Sequence, residues 1–68
     1  MSKRERYRVD VWEKDEDEAT HSYIKESKRK RDEAGEWLID QALREYPDAN
    51  FVRVTLEGGD LVHEYMEV

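Results

Sequence analysis

The chain has 68 residues, of which 44% are charged and 37% are hydrophobic, and its formal net charge at pH 7 is −6. Its longest apolar run is Trp37–Ile39, far short of the roughly 20 apolar residues that a membrane-spanning helix needs. No apolar stretch follows the basic residues near the N-terminus, and cysteine is absent, which argues against a secretory signal, a disulfide framework and a thiolate metal site. We therefore expect one small cytoplasmic domain over residues 1–68, with residues 1–4 flexible.

Charge is distributed unevenly along the chain. Residues 3–8 and residues 25–31 are strongly basic, whereas residues 15–18 form an uninterrupted acidic run between them. The net acidity therefore hides two basic patches on an otherwise negative surface. Partners of either sign could be attracted, each to a different side of the domain.

The first half of the chain predicts a β-hairpin. Residues 6–13 alternate in the manner of a strand and place three apolar side chains on one face: Tyr7, Val9 and Val11. Residues 19–25 are rich in the β-branched and aromatic residues that favour strands, and the polar residues 14–18 would form the turn. An alternative interpretation makes residues 17–46 one long helix, which the mediocre helix formers of the second segment disfavour.

Residues 27–46 predict a helix. Five apolar residues recur at helical spacing and form one stripe: Ala34, Leu38, Ile39, Ala42 and Tyr46. Ser27 is the expected N-cap, and Pro47 ends the helix because the residue before a proline avoids the helical conformation. The basic residues Lys28–Arg31 would then lie in the first turn, where positive charge opposes the helix dipole. Gly35 costs about 1 kcal/mol relative to alanine inside a helix, so we expect it to mark a close approach of the helix to the sheet.

Two further strands are predicted after the helix. The segments Phe51–Leu56 and Leu61–Val68 both alternate, and a tight reversal at Gly58–Gly59 or Gly59–Asp60 would connect them. The complete order predicts an α+β domain of the form β-β-α-β-β. In this fold one helix packs on one face of a four-stranded, mainly antiparallel sheet.

Alternation divides the side chains of the sheet between a core and an uncovered face. Ten residues are predicted to lie under the helix: Tyr7, Val9, Val11, Ile24, Val52, Val54, Leu56, Val62, Met66 and Val68. The opposite face of a solitary domain should be polar, but here it is predicted to carry several aromatic rings, which indicates an interaction surface. The residues predicted to bind protein there are Arg8, Trp12, Tyr23, Phe51, Arg53, His63 and Tyr65.

Catalytic chemistry has little support in the sequence. His21 and His63 are the only histidines, their spacing does not match a metal site, and no serine lies in a nucleophile-elbow context. Gly58–Gly59 is not followed by a helix and cannot form a phosphate-binding loop. We therefore predict no catalytic residue, metal, cofactor, membrane partner or small-molecule substrate, and we expect that the chain is not an enzyme.

The favoured interpretation is a protein-interaction module that binds itself as a homodimer or binds another protein, as a small regulator or inhibitor would. Its acidic edges would select a basic partner. One alternative is single-stranded nucleic acid, with bases stacked on the aromatic face and phosphates held by Lys28, Arg29, Lys30 and Arg31. The overall acidity disfavours that alternative. Another is a designed protein without a function, which Gly35 and the adverse charges at the helix start argue against.

The segments Glu33–Ala34, Ala42, Tyr46–Ala49 and Val52–Val54 look like the helix-to-strand passage of many small α+β domains. The whole element order also resembles that of some compact phage-encoded inhibitors of bacterial defence systems. This resemblance is one of architecture only, and no motif residue carries a function across.

Overall fold

A computed structural model describes residues 4–57 and 59–67. The elements follow one another as β1 (Glu5–Trp12), β2 (His21–Ser27), α1 (Arg31–Glu45), β3 (Phe51–Leu56) and β4 (Leu61–Met66). This order confirms the predicted arrangement. Because residues 21–27 form a strand, the alternative of one long helix over residues 17–46 is wrong. Residues 1–4 are predicted to be flexible, and the first three of them lie outside the described residues.

The four strands form one antiparallel sheet in the spatial order β2-β1-β3-β4. β1 and β3 form its centre, and β2 and β4 form its two edges. The helix α1 lies on one side of the sheet and packs most closely against β3 and β4, so the predicted α+β class is confirmed. Within the described part of the chain, no helix combines the length and the apolar character needed to cross a membrane.

The core lies between α1 and the two central strands. Val9 is opposite Val54 and Val11 is opposite Val52 in the β1–β3 ladder, and all four side chains are fully buried. The helix contributes most of its predicted stripe: Ala34, Leu38, Ile39 and Ala42. Burying one valine or leucine side chain stabilises a fold by about 1.5–3 kcal/mol, so this layer supplies most of the apolar stabilisation of a small domain.

The helix α1 begins later than the sequence predicts. Ser27, the predicted N-cap, is instead the last residue of β2, where its Oγ accepts a hydrogen bond from the Arg29 backbone N–H at 3.1 Å. Lys30 occupies the N-cap position and makes no side-chain capping bond. The first turn therefore carries Asp32 and Glu33, whose charges complement the helix dipole. The predicted placement of Lys28, Arg29 and Lys30 inside the first turn is wrong, and Arg31 is the residue of the basic run that lies there.

Gly35 lies at the predicted close approach between helix and sheet. A Cβ atom on this residue would lie 2.8 Å from Cβ of His63 and 3.1 Å from Cγ1 of Val62. Both neighbours belong to β4. The missing side chain therefore lets α1 rest directly on this edge strand, and the close packing offsets the unfavourable helix propensity of glycine.

The edge strands depart from the predicted core. Ile24 and Met66 are predicted to be buried but are 42% and 69% exposed, so both assignments are wrong. They lie on the side of the sheet away from α1, because the pairing partner of each strand sets its register and hence its faces. Leu56 and Val62 are partly buried against the core. Val68, also predicted to be buried, lies outside the described residues.

Gly59 provides the left-handed backbone conformation in the reversal between β3 and β4. Gly59 has a φ of +107°, which side-chain-bearing residues rarely adopt. Its N–H donates to the Leu56 carbonyl at 2.8 Å, and the Leu56 N–H donates to the Asp60 carbonyl at 2.8 Å. The predicted reversal is therefore confirmed for its described residues, while Gly58 lies outside them.

Candidate protein-binding face

The side of the sheet away from α1, called the open face below, is formed by the side chains that alternate with the core valines. Trp12 lies opposite Phe51 in the β1–β3 ladder, and Asp10 lies opposite Arg53. The open face carries Arg6, Arg8, Asp10, Trp12, Ser22, Ile24, Glu26, Phe51, Arg53, Thr55, Leu61, Glu64 and Met66. No helix or strand of residues 4–57 and 59–67 packs against this side. It is therefore available to a partner.

Trp12, Phe51 and Arg53 form a compact group at one end of the open face, called the aromatic cluster below. The two rings meet edge to face, with centroids 5.1 Å apart and an interplanar angle of 67°, a geometry that the ring quadrupoles favour. The Arg53 guanidinium carbon lies 5.5 Å from the Trp12 centroid and 5.4 Å from the Phe51 centroid. Its Nε also donates to Oε2 of Glu64 at 3.3 Å. The guanidinium is thus held in place before any partner arrives.

Asp10 forms a polar centre next to the aromatic cluster. Its side chain is only 12% exposed, and a carboxylate removed from water needs compensating partners. Oδ1 accepts hydrogen bonds from Arg8 Nε at 3.1 Å and from the Ser22 hydroxyl at 2.6 Å. These bonds tie β1 to β2 on the open face and fix the position of Arg8.

The loop between β1 and β2 brings carboxylates beside the aromatic cluster. Residues 14–17 line one groove together with Trp12, Asn50, Phe51 and Arg53, and Glu18 lines a second groove beside Arg8 and Asp10. The loop is closed by the Glu13 N–H, which donates to Oγ1 of Thr20 at 3.0 Å. An aromatic wall with carboxylates at its rim can hold a lysine or arginine side chain, because the rings pack on the alkyl stem while the carboxylates attract the charged end.

Three predicted site residues lie on the other side of the sheet. Tyr23 is opposite Val9, Tyr65 is opposite Val52, and His63 is opposite Val54, so all three share the face of the core valines. Tyr23 and Tyr65 pack partly buried against the core. Their assignment to the open face, together with that of His63, is wrong. The other four predicted residues, Arg8, Trp12, Phe51 and Arg53, do lie together on the open face.

The physical reason for these errors differs between the two edge strands. In β2 both faces carry apolar or aromatic residues, so alternation alone favours neither Tyr23 nor Ile24 as the buried residue. In β4 the ladder with β3 is shifted between Val54 and Thr55. A β-bulge adds one residue and exchanges the faces on either side of it, and nothing in the sequence marks its position.

His21 also lies on the helix side rather than on the open face. It is opposite Val11 in the β1–β2 ladder. Its ring stacks on Tyr46, the C-cap of α1, with centroids 4.0 Å apart, and Nε2 lies 2.9 Å from Oε1 of Glu13. Tyr23 lies on the same side, where burial raises the pKa of its hydroxyl and the nearby Glu45 carboxylate raises it further. These side chains attach β2 to the end of the helix.

The basic run Lys28–Arg31 is separated from the aromatic cluster. It joins β2 to the first turn of α1 and so belongs to the helix layer, on the other side of the sheet. Arg31 Nε donates to Oε2 of Glu5 at 3.1 Å, and the Arg29 guanidinium carbon lies 5.0 Å from the Trp37 ring centroid. The rings and the basic run, which the nucleic-acid hypothesis needs on one surface, are not brought together.

Several residues of the open face were missed by the sequence-based prediction. Ile24 and Met66 are predicted to lie in the core, because their apolar character gives no signal of exposure. Asp10 binds Arg8 and Glu64 binds Arg53 on this face. Alternation already places Arg8 and Asp10 on one side of β1, whereas the position of Glu64 opposite Arg53 depends on the β3–β4 register. Among the described residues, no group of three or more histidines and carboxylates converges as metal ligands would.

Comparison of the chain with protein-family models, with curated proteins and with solved structures gave no match.

Proposed function

We propose that this chain is a non-enzymatic protein-binding module whose binding surface is the open face. The observation that carries the proposal is the aromatic cluster, in which two rings and an arginine are held together on the uncovered side of a sheet. Tryptophan and arginine are enriched among the residues that dominate binding energy. Because Arg53 is already held by both rings and Glu64, little side-chain entropy remains to be lost on binding.

The chemistry of the surroundings supports a basic partner. The acidic loop, residues 15–18, lines the two grooves beside the aromatic cluster, and Ile24 and Met66 add exposed apolar surface to the same face. A partner that offers lysine or arginine side chains next to aliphatic ones would match both features. By occupying a basic surface of that partner, the chain would act as a small regulator or inhibitor.

The proposal can be tested with a short peptide of lysine and leucine residues, titrated into isotopically labelled protein. We expect saturable chemical-shift changes at the Trp12 indole, at residues 14–17 and at Phe51. The matched control is the same peptide with acetylated lysines, which keeps the apolar groups and removes the charge. Added salt should weaken the binding of the unmodified peptide because the carboxylates are exposed.

A pair of charge-matched variants assigns the binding to the face. The variant Asp15→Asn/Glu16→Gln/Asp17→Asn should weaken the peptide complex. The variant Glu33→Gln/Glu36→Gln/Asp40→Asn removes the same charge from exposed positions of α1 and should leave the complex unchanged. Equal effects of the two variants, or shifts confined to α1, would contradict the proposal. Binding of a single-stranded oligonucleotide at Trp12, with no response to the peptide, would favour the nucleic-acid alternative instead.

A further inference from the structure

The two edges of the sheet are not equivalent. The β1–β2 ladder is unbroken over seven residue pairs, from Glu5 opposite Ser27 to Val11 opposite His21, so β2 is a regular strand. In contrast, the β3–β4 ladder is shifted between Val54 and Thr55. Bulges at sheet edges discourage further pairing, whereas a regular edge without bulge or proline presents unpaired backbone groups as a template for another strand.

A groove runs along the free edge of β2. It is lined by the consecutive residues 20–25 together with Glu45 and Tyr46 at the end of α1. Consecutive strand residues point to opposite faces, so a groove that they all line follows the edge of the strand rather than either face. An added strand would lie in this space, about 4.8 Å from β2.

We propose that β2 pairs antiparallel with β2 of a second copy of this chain, with the two-fold axis at Ile24, to give a continuous eight-stranded sheet. The sequence of the strand is self-complementary in this register. Tyr23 lies opposite Lys25 of the second copy, Ser22 opposite Glu26, and His21 opposite Ser27, so that all seven residues of β2 are paired. Ile24 meets its own copy at the centre.

Electrostatics favours this register over its neighbours. Lys25 Nζ already lies 5.9 Å from the Tyr23 ring centroid within one chain, and the Glu45 carboxylate lies close enough to Tyr23 to perturb its hydroxyl. Lys25 of the second copy would therefore reach both an aromatic ring and a carboxylate. An axis at Lys25 would place two lysines directly opposite each other, which destabilises a strand pair, and an axis at Tyr23 would place Lys25 opposite His21.

The pairing extends beyond the function proposed above and does not depend on it. A two-fold axis perpendicular to the sheet leaves both helices on one side and both open faces on the other. The dimer would therefore present two aromatic clusters on one continuous surface, and a partner with two matching sites would bind with greater avidity than either site provides.

The first test uses disulfide formation, since the chain contains no cysteine. Ile24→Cys places two thiols opposite each other at the axis, within the 4.4–6.8 Å between Cα atoms that a disulfide spans. Glu26→Cys is the matched control because Glu26 is exposed on the same face of the same strand. In the proposed register the two copies of residue 26 are about 14 Å apart, too far for a disulfide. We expect rapid dimeric cross-linking of the first variant only. Equal rates for both variants would overturn the register.

The second test uses sedimentation equilibrium over a wide range of concentrations. We expect the unmodified chain to dimerise reversibly, and Ile24→Glu to weaken dimerisation by at least about tenfold, because two carboxylates would meet at the axis. Within one chain the new carboxylate faces Arg8, so the fold should be retained. Met66→Glu removes an exposed apolar residue from the other edge and should leave the dimer unchanged. A monomer at all concentrations, or a dimer that survives Ile24→Glu, would overturn the proposal.

Discussion

The central and the edge strands of this sheet differ in how firmly their own sequences assign each side chain to a face. In β1 and β3 the valines fall on one face only, and all four are fully buried. In β2 and β4 both faces carry apolar or aromatic residues, and Ile24 and Met66 are exposed while Tyr23 and Tyr65 pack against the core. Alternation therefore predicts the buried face of a strand when only one of its faces is apolar. Elsewhere, pairing with the neighbouring strand decides which face is buried.

This difference also separates the two proposed surfaces. The aromatic cluster is built on the central strands, where a rigid core fixes the backbone on which Trp12, Phe51 and Arg53 stand. The proposed dimer interface uses the free edge of β2, where backbone groups rather than a fixed side-chain cluster supply much of the recognition. Substitutions in the two regions should therefore have separable effects on stability and on association.

The largest expected difference is between two aliphatic truncations. Val54→Ala should destabilise the fold by about 2 kcal/mol, because it removes fully buried methyl groups and leaves a cavity. Ile24→Ala deletes more atoms, but the side chain is 42% exposed, so the loss for the monomer should be about 0.5 kcal/mol. Urea unfolding at a protein concentration below dimerisation measures both changes. Equal losses would contradict the contrast between central and edge strands.

A second comparison concerns two tyrosines that face the core. Tyr7 on β1 is fully buried, and no group of the described residues meets its hydroxyl in hydrogen-bond geometry, although the Glu5 carboxylate lies near it. Tyr7→Phe should therefore raise the free energy of unfolding by about 1 kcal/mol at neutral pH, since an unsatisfied polar group is removed. Tyr23→Phe on the edge strand, where the side chain is only partly buried, should have little effect.

Tyr7→Phe should also change how the free energy of unfolding depends on pH. Burial, followed by the Glu5 carboxylate, raises the pKa of Tyr7 above its ordinary value of 10.0, while Arg31 opposes the shift. A raised pKa in the folded state means that the associated stability is fully present below pH 10 and is lost as the pH rises through the folded-state pKa. We expect Tyr7→Phe to reduce this alkaline loss. The prediction would be contradicted if the free energy of unfolding fell equally with rising pH for the unmodified protein and for Tyr7→Phe.

The smallest expected effect is the coupling within the aromatic cluster. A double-mutant cycle with Trp12→Leu and Arg53→Met should give a coupling of about 0.5 kcal/mol, the range of exposed cation–π contacts. A cycle of Ile24→Leu with Arg53→Met provides a control, because Ile24 lies on the same face but two strands away from Arg53. Zero coupling between Trp12 and Arg53 would show that the indole does not hold the arginine.

Much of the fold and part of the site could be predicted from local patterns. The stripe from Ala34 to Ala42 identified the helix, Pro47 marked its end, and Gly35 indicated the close approach to the sheet. For the site, the alternation of β1 and β3 placed Arg8, Trp12, Phe51 and Arg53 on one face. The same reasoning failed for Tyr23, His63 and Tyr65, because the sequence does not mark the bulge in β4 and carries apolar residues on both faces of β2.

Local patterns in the sequence are sufficient to predict the number, type and order of the elements and the inward face of the central strands. Each of these depends on local periodicity, and a helix stripe or a one-sided row of valines can be buried in only one way. Three features follow instead from how the strands pair: which faces of β2 and β4 turn outward, the position of the acidic loop beside the aromatic cluster, and the regular free edge of β2. These features depend on register and on contacts between segments distant in sequence, where a shift of one residue exchanges the inside and the outside of a strand.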